Sequence, residues 1–135
     1  MINSSLIEEL KIEHARITKA LNEIITVGIG SQEGREKLMN AKNMLLQHLQ
    51  KEDTDFYPKL EEAAREDGQI RHTLDSFAKD MEAITKLAMD FFSKYEKERE
   101  KGADFAKEFG RLYNSLSLRI RREENYLYKI FNDLK

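Results

Sequence analysis

The residues best suited to chemistry in this sequence are a histidine and a glutamate four residues apart, His48 and Glu52. Residues at this spacing lie one above the other on the same face of an α-helix. The same face carries Leu38, Ala41 and Leu45 further back along the chain, so it is predicted to point into a hydrophobic core. Because a carboxylate is rarely buried unless it is paired or bound to a metal, this pattern indicates a metal ligand or a buried ion pair.

Two further polar side chains occupy positions that are predicted to face the core. His14 lies between Leu10 and Ile17 in an apolar stripe with spacings of three and four. Glu123 continues a similar stripe near the C-terminus, four residues after Arg119. Imidazole nitrogens and carboxylate oxygens are protein ligands of zinc, iron and manganese. The residues alone therefore leave two interpretations open for His14, His48, Glu52 and Glu123, which are metal ligands or a buried group of hydrogen-bonded and ion-paired side chains.

The first two helices that position these side chains are predicted to form a hairpin. Helix one should begin at Ser5, with Glu8 three residues later completing a capping box. A glycine-containing turn at residues 28–31 then places Ser31 at the N-cap of helix two. Pro58 removes one backbone hydrogen bond and is predicted to kink helix two, which continues to the next glycine.

A second hairpin is predicted from the same signals. Helix three runs from about residue 69 to residue 101 and stops at Gly102. Helix four starts near Asp104 and continues to the C-terminus. Long helices with short connections favour an all-α, up-down-up-down four-helix bundle. No linker or low-complexity segment interrupts the sequence, so residues 1–135 are predicted to form a single domain.

Composition excludes several other classes of protein. Charged residues make up 36% of the chain but the net charge is only -2, so there is no field that would attract nucleic acid or a membrane surface. The absence of cysteine excludes disulfides, thiolate metal ligands and cysteine nucleophiles. No stretch approaches the roughly 20 apolar residues of a membrane span, and no signal core is present. We therefore expect a cytoplasmic protein without nucleic-acid or membrane partners.

Helix geometry predicts that the polar side chains share one layer of the bundle. Residues equally far from the turn of an antiparallel hairpin lie side by side, and His14 and His48 are both about 25 Å from the first turn. By the same measure Arg119 lies opposite Met81 in the second hairpin. A short internal repeat agrees, because residues 48–57 resemble 119–128 and residues 14–19 resemble 81–86. His72 is about 45 Å from its turn and outside the apolar stripe, so it is interpreted as a surface histidine.

These motifs resemble the hemerythrin (HHE cation-binding) family over essentially the whole chain. The matching segments are Glu-His at 13–14, His-x-x-x-Glu with Phe-Tyr-Pro at 48–58, and Glu-Glu-x-x-Leu-Tyr at 123–128. In that family two helices each supply a histidine and the other two each supply His-x-x-x-Glu, and together they bind two non-haem irons bridged by carboxylates. The resemblance implies an iron protein for oxygen or nitric oxide binding, iron sensing, or repair of iron–sulfur clusters.

Two ligand positions depart from the family pattern, because Met81 and Arg119 stand where histidines are expected. A thioether is a poor ligand for ferric iron. A guanidinium can neutralise Glu52 or Glu123 and can form a two-pronged hydrogen bond with either of them. The two histidines and two carboxylates that remain suffice for one metal ion but not for two. We therefore expect one ion, with iron implied by the resemblance and zinc or manganese left open.

Two classes of function remain open from the residues alone. The first is a metal-binding protein that binds a diatomic gas, oxygen or nitric oxide, at a vacant position of its iron. The second is a metal-free bundle that acts as an interaction or regulatory module, in which Arg119 replaces the metal as the counter-charge and the histidines hydrogen-bond to the glutamates. An enzymatic role ranks third, because no general acid or nucleophile is evident outside this group of residues.

Three tyrosines close to these positions receive different interpretations. Tyr57 is interpreted as a core or edge residue, since it follows the apolar Phe56. Tyr126 and Tyr128 can both reach the rim of the site, although helical phase does not require it of either.

Overall fold

Four helical rods make up the part of the chain that the structure describes. A computed structural model describes residues 2–28, 30–97 and 103–134. Its helices are α1 (Ile2–Val27), α2 (Gln32–Lys51), α3 (Tyr57–Ala64), α4 (Gly68–Lys97), α5 (Ala103–Arg122) and α6 (Tyr128–Asp133). Two π-helical segments, π1 (Glu52–Phe56) and π2 (Glu123–Leu127), join α2 to α3 and α5 to α6. The first rod is α1, the second is α2 with π1 and α3, the third is α4, and the fourth is α5 with π2 and α6. The first and second rods form the first hairpin, and the third and fourth form the second. Within these described ranges, no helix is both long enough and apolar enough to cross a membrane.

Ion pairs between the rods show that neighbouring rods run antiparallel. In the first hairpin Lys37 pairs with Glu23 at 3.1 Å near the turn, and Lys51 pairs with Glu9 at 2.8 Å far from it. The corresponding pairs in the second hairpin are Lys94–Glu108 at 2.6 Å and Arg122–Asp80 at 2.8 Å. The prediction of an all-α, up-down-up-down four-helix bundle is therefore confirmed.

The core consists of two apolar clusters with buried polar residues between them. The cluster nearer the hairpin turns includes Ile17, Leu45 and Leu116. The cluster at the other end of the bundle includes Leu10 and Phe56, both fully buried, and the end of the fourth rod. The buried polar residues fall between these two sets along the rods and are His14, His48, Glu52, Arg119 and Glu123.

Each π-helical segment begins at one of the buried glutamates. The backbone N–H of Tyr57 donates to the carbonyl of Glu52, and that of Tyr128 donates to the carbonyl of Glu123, in both cases five residues back. A π turn contains one more residue than an α turn, so the side chains that follow it are rotated relative to an uninterrupted α-helix. This rotation places Tyr128 in the core, where it is 1% exposed.

The predicted helix ends are partly confirmed. Ser31 caps α2, since its hydroxyl accepts from the backbone N–H of Gly34 at 3.1 Å. Gly28 ends α1 with a φ of 79°, a conformation that favours glycine. The capping box at Ser5 is wrong, because α1 begins at Ile2 and continues through a serine that a helix tolerates. The predicted stop at Gly102 lies outside the described residues.

Pro58 is predicted to disrupt the second helix, but the departure from α-helical geometry lies one turn earlier, in π1. Pro58 itself occupies the first turn of α3, a position at which proline is tolerated. Since π2 contains no proline and starts at the corresponding glutamate, proline alone does not explain these segments. Because both π segments begin at a buried glutamate, we associate them with the buried polar residues.

Candidate metal centre

The two histidines and two glutamates predicted as ligands come together inside the bundle as a polar cluster. They are His14, His48, Glu52 and Glu123, each at most 3% exposed. One ligand atom from each lies within 4.8 Å of the others. The distance from His48 Nε2 to Glu52 Oε1 is 3.3 Å, and that from His14 Nε2 to Glu123 Oε1 is 3.1 Å. Three rods thus contribute side chains to a common point, as helix geometry predicted.

In each histidine of the polar cluster, Nδ1 forms a hydrogen bond with a carboxylate from outside the cluster. The Nδ1 of His48 lies 2.7 Å from Glu13 Oε1, and the Nδ1 of His14 lies 2.8 Å from Glu124 Oε2. Because an ionised carboxylate only accepts hydrogen bonds, the imidazole N–H is the donor in both. The Nε2 atoms of the two rings face the glutamates of the cluster.

Two atoms of the polar cluster lack a hydrogen-bond partner among the residues that the structure describes, and they are His48 Nε2 and Glu52 Oε1. An unsatisfied buried polar atom costs about 1–3 kcal/mol, so two of them side by side require an explanation. The two atoms face each other at 3.3 Å, so a proton on Glu52 would bridge them. A divalent cation would also satisfy both, because imidazole nitrogen and carboxylate oxygen bind such ions at about 2.0–2.2 Å. The residues present therefore fit a metal ion.

Two tyrosine hydroxyls bind the remaining glutamate oxygens. Tyr128 donates to Glu52 Oε2 at 2.9 Å and lies 3.1 Å from His14 Nε2. Tyr57 donates to Glu123 Oε2 at 2.6 Å. Burial raises the pKa of both phenols well above the ordinary value, so both hydroxyls keep the proton that they donate. These contacts fix the orientation of the two carboxylates.

The sequence interpretation of the three tyrosines is therefore revised. Tyr57 was expected to be a packing residue, but its hydroxyl contacts the polar cluster. Tyr128 lies inside the cluster and not at its rim. Tyr126 is 56% exposed and its ring packs at 5.8 Å from that of Phe77. The π segments, which helical periodicity does not reveal, account for the inward rotation of Tyr128.

Substitution of Tyr128 by phenylalanine is expected to lower the free energy of unfolding of the metal-free protein by about 1–3 kcal/mol, because Glu52 would lose its hydroxyl partner while remaining buried. Urea unfolding followed by circular dichroism measures this change. Tyr126→Phe, which removes an exposed hydroxyl from the same rod, should stay within about 0.5 kcal/mol of the wild type. Equal effects of the two substitutions would contradict the assignment.

Arg119 lies beside both glutamates without forming a two-pronged hydrogen bond with either. Its Nη2 is 3.8 Å from Glu52 Oε1 and its Nε is 3.5 Å from Glu123 Oε2. Its hydrogen bonds go instead to α4, where Nη1 donates to Thr85 Oγ1 at 2.6 Å and to the carbonyl of Met81 at 3.3 Å. The guanidinium therefore does not use its capacity for a two-pronged hydrogen bond with either glutamate, since it extends across to α4. Its positive charge nevertheless acts on both carboxylates.

The two buried glutamates differ in their affinity for a proton. Burial, together with the negative charge of Glu123, raises the pKa of Glu52 to about 7. Burial also acts to raise the pKa of Glu123, but the hydrogen bond with His14 and the charge of Arg119 outweigh it and lower this pKa to about 2. In the metal-free protein Glu123 therefore holds a proton less tightly than Glu52 does.

The two departures from the family pattern lie together on one side of the polar cluster. Met81 is 8% exposed, and its sulfur lies 3.8 Å from the hydroxyl of Tyr57. A pocket of about 290 Å³ opens between α3 and α4 at this point, and Tyr57, Met81, Thr85 and Arg119 are among its lining residues. His72 is exposed and lies outside the polar cluster, as predicted.

Comparison with known protein families agrees with this architecture. Residues 5–131 match the hemerythrin HHE cation-binding domain, and this range includes every member of the polar cluster. Neither the curated proteins nor the solved structures yield a significant match. Since the family match spans nearly the whole sequence, the chain belongs to the hemerythrin HHE cation-binding family.

Proposed function

We propose that this protein binds one metal ion through the polar cluster. The observation that supports this most strongly is the pair of facing acceptors, His48 Nε2 and Glu52 Oε1, which lack hydrogen-bond partners among the described residues. Membership of a cation-binding family indicates that the ligand is a metal cation. The proposed ligands are His14, His48, Glu52 and Glu123, two nitrogen and two carboxylate donors.

Arg119 and Met81 support one ion per chain in place of the two bound by the family pattern. The guanidinium of Arg119 lies within 4 Å of both glutamates, where it competes with a second cation for the same carboxylates. Two unit positive charges about 4 Å apart repel by about 4 kcal/mol at a dielectric constant near 20. The thioether of Met81 is a poor ligand for a hard cation, so it does not compensate for this repulsion.

Iron is the metal that we propose, and its function would be to bind or sense oxygen or nitric oxide. Mixed nitrogen and oxygen donors suit iron, although zinc and manganese accept the same set. Iron that takes more than four ligands would keep an open position for a small molecule beside the four protein ligands, whereas a tetrahedral zinc ion with four protein ligands would have none. The pocket between α3 and α4 supports a route to the site. The hydroxyls of Tyr57 and Tyr128 would hold the two glutamates in place as a ligand enters.

Metal titration of the chelator-treated protein tests the proposal. We expect one equivalent of Fe²⁺ to bind under anaerobic conditions and to raise the melting temperature, because a ligand present at 100 times its Kd stabilises the native state by about 2.7 kcal/mol. His48→Ala should abolish the effect, whereas His72→Ala, which removes an exposed histidine, should not. A melting temperature that no divalent metal changes would contradict the proposal.

Nitric oxide titration of the Fe²⁺-loaded protein tests the proposed ligand. We expect a new electron paramagnetic resonance signal that reaches its maximum at one equivalent per iron. Protein loaded with Zn²⁺ is the matched control and should give no such signal. Stoichiometric iron without any response to nitric oxide or oxygen would leave metal binding intact and refute the gas-binding part of the proposal.

A metal-free interaction module remains the second candidate, and one observation favours it. Arg119 already lies at ion-pair distance from both buried glutamates and so supplies a counter-charge without a metal. This candidate predicts that neither metal nor chelator changes the melting temperature, so the same titration distinguishes the two functions.

A further inference from the structure

We propose that Glu13 and Glu124 are positioning residues that fix the tautomer and the ring orientation of the two histidines, so that both present Nε2 to a metal ion. The inference rests on the proposed function for the identity of the ligand, but the histidine tautomers can be measured without any metal. Neither carboxylate belongs to the polar cluster itself.

The two carboxylates are arranged crosswise between the rods. Glu13 precedes His14 in the sequence but contacts His48, on the neighbouring rod, at 2.7 Å. Glu124 follows Glu123 but contacts His14, on the first rod, at 2.8 Å. Each histidine is therefore oriented by a rod other than its own. This arrangement links the first, second and fourth rods around the polar cluster.

The chemistry of imidazole explains what these contacts achieve. A neutral ring carries one N–H, and a carboxylate at Nδ1 favours the tautomer in which Nδ1 bears the proton and Nε2 has a free lone pair. The Nε2 atom of each ring is the one directed at the glutamates of the cluster. In His48 this atom has no hydrogen-bond partner among the described residues, whereas in His14 it is hydrogen-bonded to Glu123 at 3.1 Å, and a metal ion would take the place of the proton in that bond. A carboxylate partner also makes the ligating nitrogen more basic, and its loss typically weakens metal binding about 10–100-fold.

Glu13 is itself held in place as an anion. Partial burial acts to raise its pKa, but the hydrogen bonds from His48 and Lys51 lower it below the ordinary value. Lys51 lies 3.1 Å from Glu13 and also pairs with Glu9 at 2.8 Å. Glu124 lies at the edge of a wide groove of about 940 Å³ that also reaches His14, and its side chain is 34% exposed. Both acceptors therefore lie at the border between the polar cluster and solvent.

Alanine variants with matched controls separate positioning from general charge effects. Glu13→Ala and Glu124→Ala should each weaken Co²⁺ binding about 10–100-fold. Glu9→Ala removes a partner of the same Lys51 without touching His48, and Glu108→Ala removes a carboxylate as exposed as Glu124 that pairs with Lys94. Both controls should bind Co²⁺ within about twofold of the wild type. Glu13→Gln, whose amide oxygen still accepts a hydrogen bond, should recover part of the loss.

Nitrogen-15 spectra of the histidine rings in the metal-free protein provide the readout that a merely structural role would not change. His48 is the ring to follow, because its Nε2 has no hydrogen-bond partner among the described residues. At a pH where this ring is neutral, the wild type should carry the proton on Nδ1 of His48. Glu13→Ala should change this tautomer, and Glu124→Ala, which removes the partner of the other histidine, should leave it unchanged. A neutral His48 protonated on Nε2 in the wild type would overturn the inference, as would equal losses of affinity in variants and controls.

The two proposals fail in distinguishable ways. If the wild type binds no metal, the proposed function is wrong, and the tautomer of His48 in the metal-free protein still decides the positioning role. If the wild type binds Co²⁺ and both alanine variants bind it within about twofold, the metal site stands and the role assigned to Glu13 and Glu124 is wrong.

Discussion

Replacement of Arg119 by alanine is expected to lower the free energy of unfolding of the metal-free protein by about 3–5 kcal/mol, because removal of one member of a buried charge group leaves the others unpaired. Glu52 and Glu123 are almost fully buried, and Arg119 lies within ion-pair distance of both. The variant also removes the donor to Thr85 and to the carbonyl of Met81. Chemical denaturation of chelator-treated protein measures the loss.

Arg122→Ala provides the matched control one turn along the same rod. The Arg122 side chain pairs with Asp80 at 2.8 Å and stacks over the ring of Phe77, but it is 23% exposed and its partner carboxylate is 60% exposed. A pair so open to solvent contributes about 0–1 kcal/mol. Relative to the wild type under the same conditions, metal should reduce the stability deficit of Arg119→Ala and leave that of the control unchanged. Equal losses in the two variants would show that Arg119 does not neutralise the buried glutamates.

The double substitution Met81→His and Arg119→His is expected to raise the number of metal ions bound per chain from one to two. These are the two positions at which the resemblance to the family predicts histidines. The change supplies two imidazole nitrogens beside Glu52 and Glu123 and removes the competing guanidinium. Metal content of iron-loaded, desalted protein, measured by elemental analysis, reports the result.

A second double variant tests whether binding of a second ion depends on the positions of the added histidines or only on their number. Met89→His with Arg119→His adds the same number of imidazoles, but residue 89 packs against the apolar cluster nearer the turns. It should bind one ion. If Met81→His with Arg119→His also remains at one ion under iron loading, the assignment of these two positions to the metal layer is wrong.

Helical periodicity located the four cluster residues because three of the rods keep a regular α-helical phase up to that point. His14 and His48 lie in uninterrupted α-helices, and Glu52 and Glu123 are the first residues of the two π segments. The prediction fails immediately afterwards. An extra residue per turn changes which side chains face the core, so Tyr128 was placed at the rim and Tyr57 was treated as a packing residue.

The hydrogen bonds that the two histidines form with carboxylates outside the polar cluster could not be predicted from the sequence either. Glu13 and Glu124 each contact a histidine that lies on a different rod, and such pairs depend on the rotation of the rods about their axes, which spacing along one helix does not determine. Arg119 shows the same limit. Its place in the layer followed from its distance to the turn, but its choice of Thr85 as hydrogen-bond partner depends on packing against α4.

Anomalous diffraction from crystals of the iron-loaded protein tests the central claim most directly, because it locates the metal without reference to any spectroscopic assignment. The polar cluster predicts a single strong peak within bonding distance of His14 Nε2, His48 Nε2 and one oxygen each of Glu52 and Glu123. A map without a peak inside the bundle, or with iron bound only at exposed residues such as His72, would contradict it.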